Sequence, residues 1–179
     1  MSPLVYACRP PAAKNSPVAA RPALLYGGCR MSSSAAPLLQ PSRILIDIAA
    51  TDKNEAIIEV AGIVRGDPDV VDFDCFCREL LARDELRSTA AGYGVAFPHA
   101  RTDAVREIVI AAGRSRGGVR FGDELVHFIF VIGTPRAKVS DYLVAVGTLA
   151  RLLRTAEVRT ALSGAATPGE FVQALVLVQ

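Results

Sequence analysis

The stretch Gly92-Tyr93-Gly94-Val95-Ala96-Phe97-Pro98-His99-Ala100-Arg101 decides how the rest of the chain is read. Its paired glycines make a tight bend, since glycine takes left-handed backbone angles without strain. Val95 to Phe97 then form a short apolar strand. Pro98 has no N–H to give a sheet ladder and fixes its own φ near about −65°. The spacing therefore predicts that the strand stops at Pro98 and that His99 stands just beyond its end. A neutral imidazole nitrogen held in a set direction, with Arg101 two residues on, suits nucleophilic attack on phosphorus. The competing reading is a surface histidine at a turn, because residue type without geometry does not establish chemistry.

Upstream, Arg43-Ile44-Leu45-Ile46-Asp47-Ile48 reads as a short strand. Asp52 and Glu55 have capping-box spacing and open a helix, along which Ala56, Ile57, Val60, Ala61 and Val64 recur with helical period until Gly66. A second helix begins near Asp72, with Phe73, Phe76, Cys77, Leu80 and Leu81 as its apolar stripe. Arg83 lies at its end, and Arg83-Asp84-Glu85 reads by residue type as a solvated charge cluster. Ser88 and Thr89 are hydroxyl donors in the following loop, suited to shaping its turn.

Downstream, Glu107 to Gly113 reads as a buried strand and Gly117-Gly118 as a turn. Leu125 to Ile132 is an almost continuous apolar run, as expected of a strand buried on both faces. His127 lies inside that run, where a hydrogen-bonded structural role outweighs a catalytic one. Arg136-Ala137-Lys138-Val139 is a basic loop, and Ser140 or Asp141 is expected to cap the next helix. Thr167-Pro168-Gly169-Glu170 has the capping-box arrangement and opens a last helix, with Phe171, Ala174 and Leu175 facing inward. Strands alternating with helices predict an α/β layered sandwich, a mixed central β-sheet flanked by helices on both faces. A site would then form at the strand ends, where the loops at 83–89, 99–102 and 136–141 converge.

The 179 residues suit one domain, expected at 43–179, behind a tail at 1–42 rich in Pro, Ala and Ser. At 51% hydrophobic and 21% charged the chain can bury a sizeable core. The formal charge of +2 misleads, because Arg9, Lys14, Arg21, Arg30 and Arg43 all precede the first carboxylate, Asp47. Removing those five of the 20 basic residues leaves 15 against 18 acidic ones, a net −3. A mildly acidic domain argues against a nucleic-acid binder. The acid-free, Ser- and Arg-bearing tail resembles an organelle transit peptide, and Leu24 to Cys29 faintly resembles a lipoprotein cleavage site. The preferred readings are a disordered tail or a true start at Met31. No apolar run nears the roughly 20 residues that cross a bilayer, so no direct membrane insertion is expected. Cys75 and Cys77 are two apart and do not face each other on a helix. With Cys8 and Cys29 in the tail they show no metal-ligand spacing, so free thiols and no metal are expected.

Gly94 to Val105 resembles the active-site segment of phosphotransferase system (PTS) enzyme IIA domains of the mannitol/fructose and nitrogen-regulatory type. The resemblance runs from about Ile44 to Leu177. It includes Arg83-Asp84-Glu85-Leu86 with Ser88-Thr89, Ala112-Gly113-Arg114-Ser115, Gly118-Val119-Arg120-Phe121-Gly122, and Val126-His127-Phe128-Ile129-Phe130. It implies a cytoplasmic phosphohistidine carrier without a cofactor, since the incoming phosphohistidine is already activated. His99 would accept the phosphoryl group from a histidine phosphocarrier protein (HPr-like). It would pass the group to a cysteine of an enzyme IIB, or hold it as a signal to a regulated protein. The resemblance places Arg83 near the phosphorylated histidine, although the family's Arg-Glu reads Arg83-Asp84-Glu85 here. Arg101, Ser88 and Thr89 are candidates for supporting the phosphoryl group, and Phe97 and Tyr93 for an apolar docking rim unless they are core. Many members carry a second histidine before a leucine at the start of the helix after 139. Matching on Leu143, Tyr142 takes that place. A tyrosine hydroxyl donates a hydrogen bond but does not become a cation near neutral pH. That departure motivates the alternative of a degenerate, non-phosphorylated regulatory binding module acting on a transporter or kinase. A hydrolase is disfavoured, because His99 and His127 do not make a catalytic pair by spacing.

Overall fold

The computed structural model describes residues 39–176, so residues 1–38 of the expected tail lie outside the described residues. Leu39, placed in the tail by the sequence reading, is buried, and a 3-10 turn at Pro41–Arg43 leads directly into β1 (Ile44–Leu45). β1 is shorter than the expected run to Ile48. Beyond Leu45 the Ile48 N–H returns to the neighbouring strand, at 2.8 Å from the Arg114 carbonyl.

Helix α1 (Lys53–Gly62) starts as expected, with the Asp52 carboxylate accepting from the N–H groups of Asn54 and Glu55. It ends at Gly62, and turns carry the chain on to Gly66. Helix α2 (Phe73–Leu86) is capped by Asp72, which accepts from the Cys75 N–H at 2.9 Å. Such a cap satisfies amide donors that have no partner within the helix.

The mixed sheet contains β2 (Val95–Ala96), β3 (His99–Arg101), β4 (Val109–Phe121) and β5 (Glu124–Thr134) besides β1. Its order is β1-β4-β5-β2, with β3 also on β5. β4 and β5 are antiparallel and the other pairings parallel. Two sequence expectations are corrected here. Pro98 interrupts pairing without ending it. β2 pairs with β5 through Val95 and Ala96, and pairing resumes from His99↔Ile132 to Arg101↔Thr134. The Pro98 carbonyl still accepts from the Ile132 N–H at 2.9 Å, so the missing donor does not release the chain from β5. His99 therefore opens a second strand segment. The second correction concerns Gly117-Gly118, which lies inside β4 within a register irregularity between Arg114 and Val119. A bulge absorbs extra residues without reversing a strand. The reversal comes at Gly122, φ +64, with Phe121 opposite Glu124.

Alternation on the strands gives two cores. On one face Val109, Ala111, Ile129 and Val131 pack with α1 and α2 through Ile57, Val60, Phe76 and Leu80. On the other Ile110, Ala112, Phe128, Phe130 and Ile132 meet α3 (Val139–Leu153), α4 (Ala156–Gly164) and α5 (Pro168–Val176) through Leu149, Leu153, Val158, Leu162 and Phe171. This is the layered α/β sandwich read from the alternation of elements. The close approach of α2 to the sheet needs Gly133, where a Cβ would lie 2.8 Å from the Phe76 ring.

Helix α3 begins earlier than expected, with Lys138 at its N-cap and no side-chain cap bond there. Ser140 and Asp141 thus fall in its first turn, and their side chains lie outside the described ones. Cys75 is disulfide-bonded, so the expectation of free thiols holds for Cys77 alone of the two described cysteines. Burial pushes the Cys77 thiol up to about 11. Among the described residues no helix is long and apolar enough to cross a membrane, and no cluster of His, Cys, Asp and Glu is placed to hold a metal ion.

Candidate functional site

His99 opens β3 with its side chain half-buried, and its Nδ1 lies 2.9 Å from the Phe97 carbonyl oxygen. A carbonyl only accepts, so Nδ1 carries the proton and donates, and Nε2 keeps the free lone pair. The contact spans the gap between β2 and β3 in which Pro98 sits.

One face of the imidazole is covered by Tyr142, with ring centroids 5.3 Å apart and planes tilted by 37°. Tyr142 is the fourth residue of α3, so this helix closes the site from the face opposite α2. Arg83, in the last turn of α2, lines a cavity of about 300 Å³ together with Glu79, Ala82, Leu86, His99, Ala100, Arg101 and Arg136. Three guanidinium groups thus share one cavity wall with the histidine. Arg83 Nη1 donates to the Arg87 carbonyl at 3.3 Å, and Arg101 Nη2 to the Arg136 carbonyl at 3.3 Å. Arg136 is paired with Glu79 at 3.5 Å and Asp103 at 3.3 Å.

Burial lowers the His99 pKa from its ordinary 6.5, the Phe97 carbonyl opposes this, the Arg83 charge lowers it further, and Asp84 opposes more weakly. The ring is therefore neutral at neutral pH. Burial likewise raises the Tyr142 phenol, against a smaller pull from Arg83, so its hydroxyl stays protonated. Because the folded His99 pKa lies below the unfolded one, the unfolded chain binds more protons in that interval. Its contribution to stability is complete above pH 6.5 and is lost as pH falls toward the folded value. We expect an NMR titration of His99 to have its midpoint below 6.5, and Arg83→Gln to raise it only in part, because burial is the larger cause. A midpoint at or above 6.5 in the wild-type protein would contradict this geometry.

The loops at 83–89 and 136–141 reach His99 through Arg83, Arg136 and the Tyr142 that follows. Ser88 and Thr89 have local partners instead. The exposed Ser88 Oγ accepts from the Ala90 N–H at 3.3 Å. Thr89 is buried, and its hydroxyl donates to Asp84 Oδ1 at 2.5 Å. Asp84 is the residue the sequence reading misses. It is 2% exposed, not solvated, and the Lys53 ammonium lies 2.6 Å from its Oδ2. Glu85 is exposed, so Asp84 supplies the inward carboxylate beside Arg83. The signal was present: Phe76, Leu80 and Asp84 are spaced by four and share one helix face. Phe97 is core at 6% exposed and leaves the proposed rim, whereas Tyr93 is exposed with φ +56. His127 takes the structural role, with Nδ1 donating to the Ser115 carbonyl at 3.1 Å across the β4–β5 hairpin.

Residues 37–176 match the family described as phosphoenolpyruvate-dependent sugar phosphotransferase system, EIIA 2. The chain is 30% identical over 146 residues to a nitrogen regulatory protein of Pseudomonas aeruginosa, covering 79% of this chain and 94% of that protein. It resembles the crystal structure of nitrogen regulatory protein IIA-Ntr from Neisseria meningitidis, with TM-score 0.72, 25% identity, and coverage of 78% of this chain and 97% of that one. It shares its fold with the Escherichia coli mannitol enzyme IIA in a complex with phosphorylated enzyme IIB, at TM-score 0.68 and 21% identity over 77% of this chain and 96% of that one. The match covers all of the described residues, and the chain belongs to the EIIA 2 family of the phosphoenolpyruvate-dependent sugar phosphotransferase system.

Proposed function

We propose that this domain is a phosphohistidine carrier with His99 as the acceptor. The observation that carries the reading is the His99 tautomer: Nδ1 donates to the Phe97 carbonyl, which leaves Nε2 as the nucleophile beside a cavity lined by Arg83, Arg101 and Arg136. Nε2 attacks the phosphorus of an incoming phosphohistidine. The new N–P bond forms as the donor's N–P bond breaks, and the donor imidazole keeps the electron pair. Forked guanidinium groups match the phosphoryl oxygens, with Arg83 the first of them and Arg101 a further support. No cofactor enters, because the donor is already activated. The donor is an HPr-like histidine phosphocarrier protein. The recipient is an enzyme IIB or a regulated protein, and the domain acts in the cytoplasm. The complex of the mannitol enzyme IIA with phosphorylated enzyme IIB supports the first recipient, and the nitrogen regulatory relatives support the second. Exposed Leu86 on the cavity, with Leu143 and Val144 next to Tyr142, provides an apolar rim for such partners.

The test is incubation with phosphoenolpyruvate, enzyme I and the phosphocarrier. The expected product is an acid-labile, base-stable adduct of about 80 Da. Its absence from folded protein with several phosphocarriers favours the second reading, a binding module, which rests on Tyr142 covering His99. Tyr142 divides the two readings. In a carrier it walls the imidazole and excludes water, so Tyr142→Phe slows phosphoryl acceptance less than about tenfold and Tyr142→Ala more. In a binding module neither variant changes a phosphorylation rate, because there is none to change.

A further inference from the structure

The carbonyl that fixes the His99 tautomer belongs to Phe97, in the gap between β2 and β3 where the ladder with β5 is interrupted. Residue 97 is held in place from another element, its N–H, in the peptide before the one that carries this carbonyl, donating to the Thr89 carbonyl at 3.0 Å. Thr89 is in turn fastened at both its donors. Its N–H gives to Asp84 Oδ1 at 3.0 Å and its hydroxyl to the same oxygen at 2.5 Å. The Lys53 ammonium, from the first residue of α1, sits 2.6 Å from the other carboxylate oxygen. A carboxylate is costly to bury unless charge and hydrogen bonds compensate. Closing the turn does not call for one, since the surface bond to Ser88 Oγ already does that.

From this unbroken run of contacts, Lys53 to Asp84 to Thr89 to Phe97 to His99, we infer that Asp84 and Lys53 are positioning residues for His99. They hold the Phe97 carbonyl where it selects the Nδ1-protonated ring. The inference rests on the reading of His99 as acceptor, and it gives Thr89 a positioning role in place of a phosphoryl contact. The same turn of α2 then serves the histidine twice, with Arg83 on the cavity and Asp84 behind it.

The charged and titratable groups around His99 are Glu79, Arg83 and Asp84 of α2, Arg101, Arg136 and the Tyr142 phenol. A change at Arg83 or Asp84 moves its titration midpoint, whereas the tautomer answers to the bond at Nδ1. The experiment is therefore ¹⁵N NMR of the His99 imidazole in wild type, Asp84→Asn, Lys53→Met, Thr89→Val and Thr89→Ser, with phosphoryl acceptance measured alongside. Wild type and Thr89→Ser are expected to show one Nδ1-protonated form. Asp84→Asn, Lys53→Met and Thr89→Val are expected to show a mixture of tautomers and acceptance slowed by about tenfold to a hundredfold. Thr89→Val removes only the hydroxyl bond and keeps the result decisive if Asp84→Asn does not fold. An unchanged single tautomer in folded Thr89→Val and Lys53→Met overturns the inference. Absence of phosphorylation in wild type overturns the carrier reading instead, and the tautomer comparison still decides the positioning role.

Discussion

Replacing His99 with glutamine is expected to abolish phosphoryl incorporation while leaving the domain folded. Glutamine has an amide nitrogen whose lone pair is delocalised, so it cannot attack phosphorus. The expected loss is that of a removed nucleophile, on the order of 10⁶-fold, which leaves no signal. The fold is spared because the half-buried imidazole makes one hydrogen bond, to the Phe97 carbonyl, which a glutamine amide group can also donate to. Thermal unfolding is therefore expected to shift by a few degrees at most, while the adduct of about 80 Da disappears. An adduct that persists in His99→Gln places the acceptor elsewhere, and His127 is the only other histidine. Its Nδ1 is already committed to the Ser115 carbonyl.

The second large effect is on stability. Arg114 is 3% exposed, and its guanidinium reaches five acceptors, three of which share the two N–H groups of Nη1. Nε gives to the Ile46 carbonyl at 3.0 Å and Nη2 to Asp47 at 3.2 Å. Nη1 gives to the carbonyls of Leu162, Ser163 and Ala165, at 3.2, 2.7 and 2.7 Å. Those three oxygens lie at the end of α4, where the last carbonyls have no partner within the helix and the axial dipole favours a cation. One side chain on β4 thus ties the segment after β1 to the C-terminus of α4. Arg114→Met keeps an apolar stem of similar length but strands the carbonyls. Each buried, unpaired acceptor costs about 1–3 kcal/mol, so a total loss of about 3–5 kcal/mol is expected. That is a large share of the roughly 5–15 kcal/mol by which a domain is stable. Urea unfolding measures it directly. Arg114→Lys is expected to recover a minor part, since an ammonium keeps the charge but lacks the fork. A loss below about 1 kcal/mol for Arg114→Met would show that water replaces these bonds without penalty.

The sequence alone determined the layers. Helix starts at Asp52 and Asp72 were legible because a cap acts within three residues, and strands were legible because side chains alternate every second residue. It also singled out His99, through a proline and glycines whose backbone preferences are local. What it could not show depended on contacts between distant segments. Whether Pro98 ended a strand or interrupted one was decided by β5, whose N–H at Ile132 still found the Pro98 carbonyl. Whether Gly117-Gly118 turned or bulged was decided by pairing of β4 with β5 on both sides of it. Asp84 passed as a surface charge because its partner Lys53 is thirty-one residues away in sequence and 2.6 Å away in space. The nitrogen of His99 that keeps its lone pair was the last thing the tertiary structure decided, because a tautomer is set by the one carbonyl that a ring nitrogen meets, and no spacing of residue types encodes that.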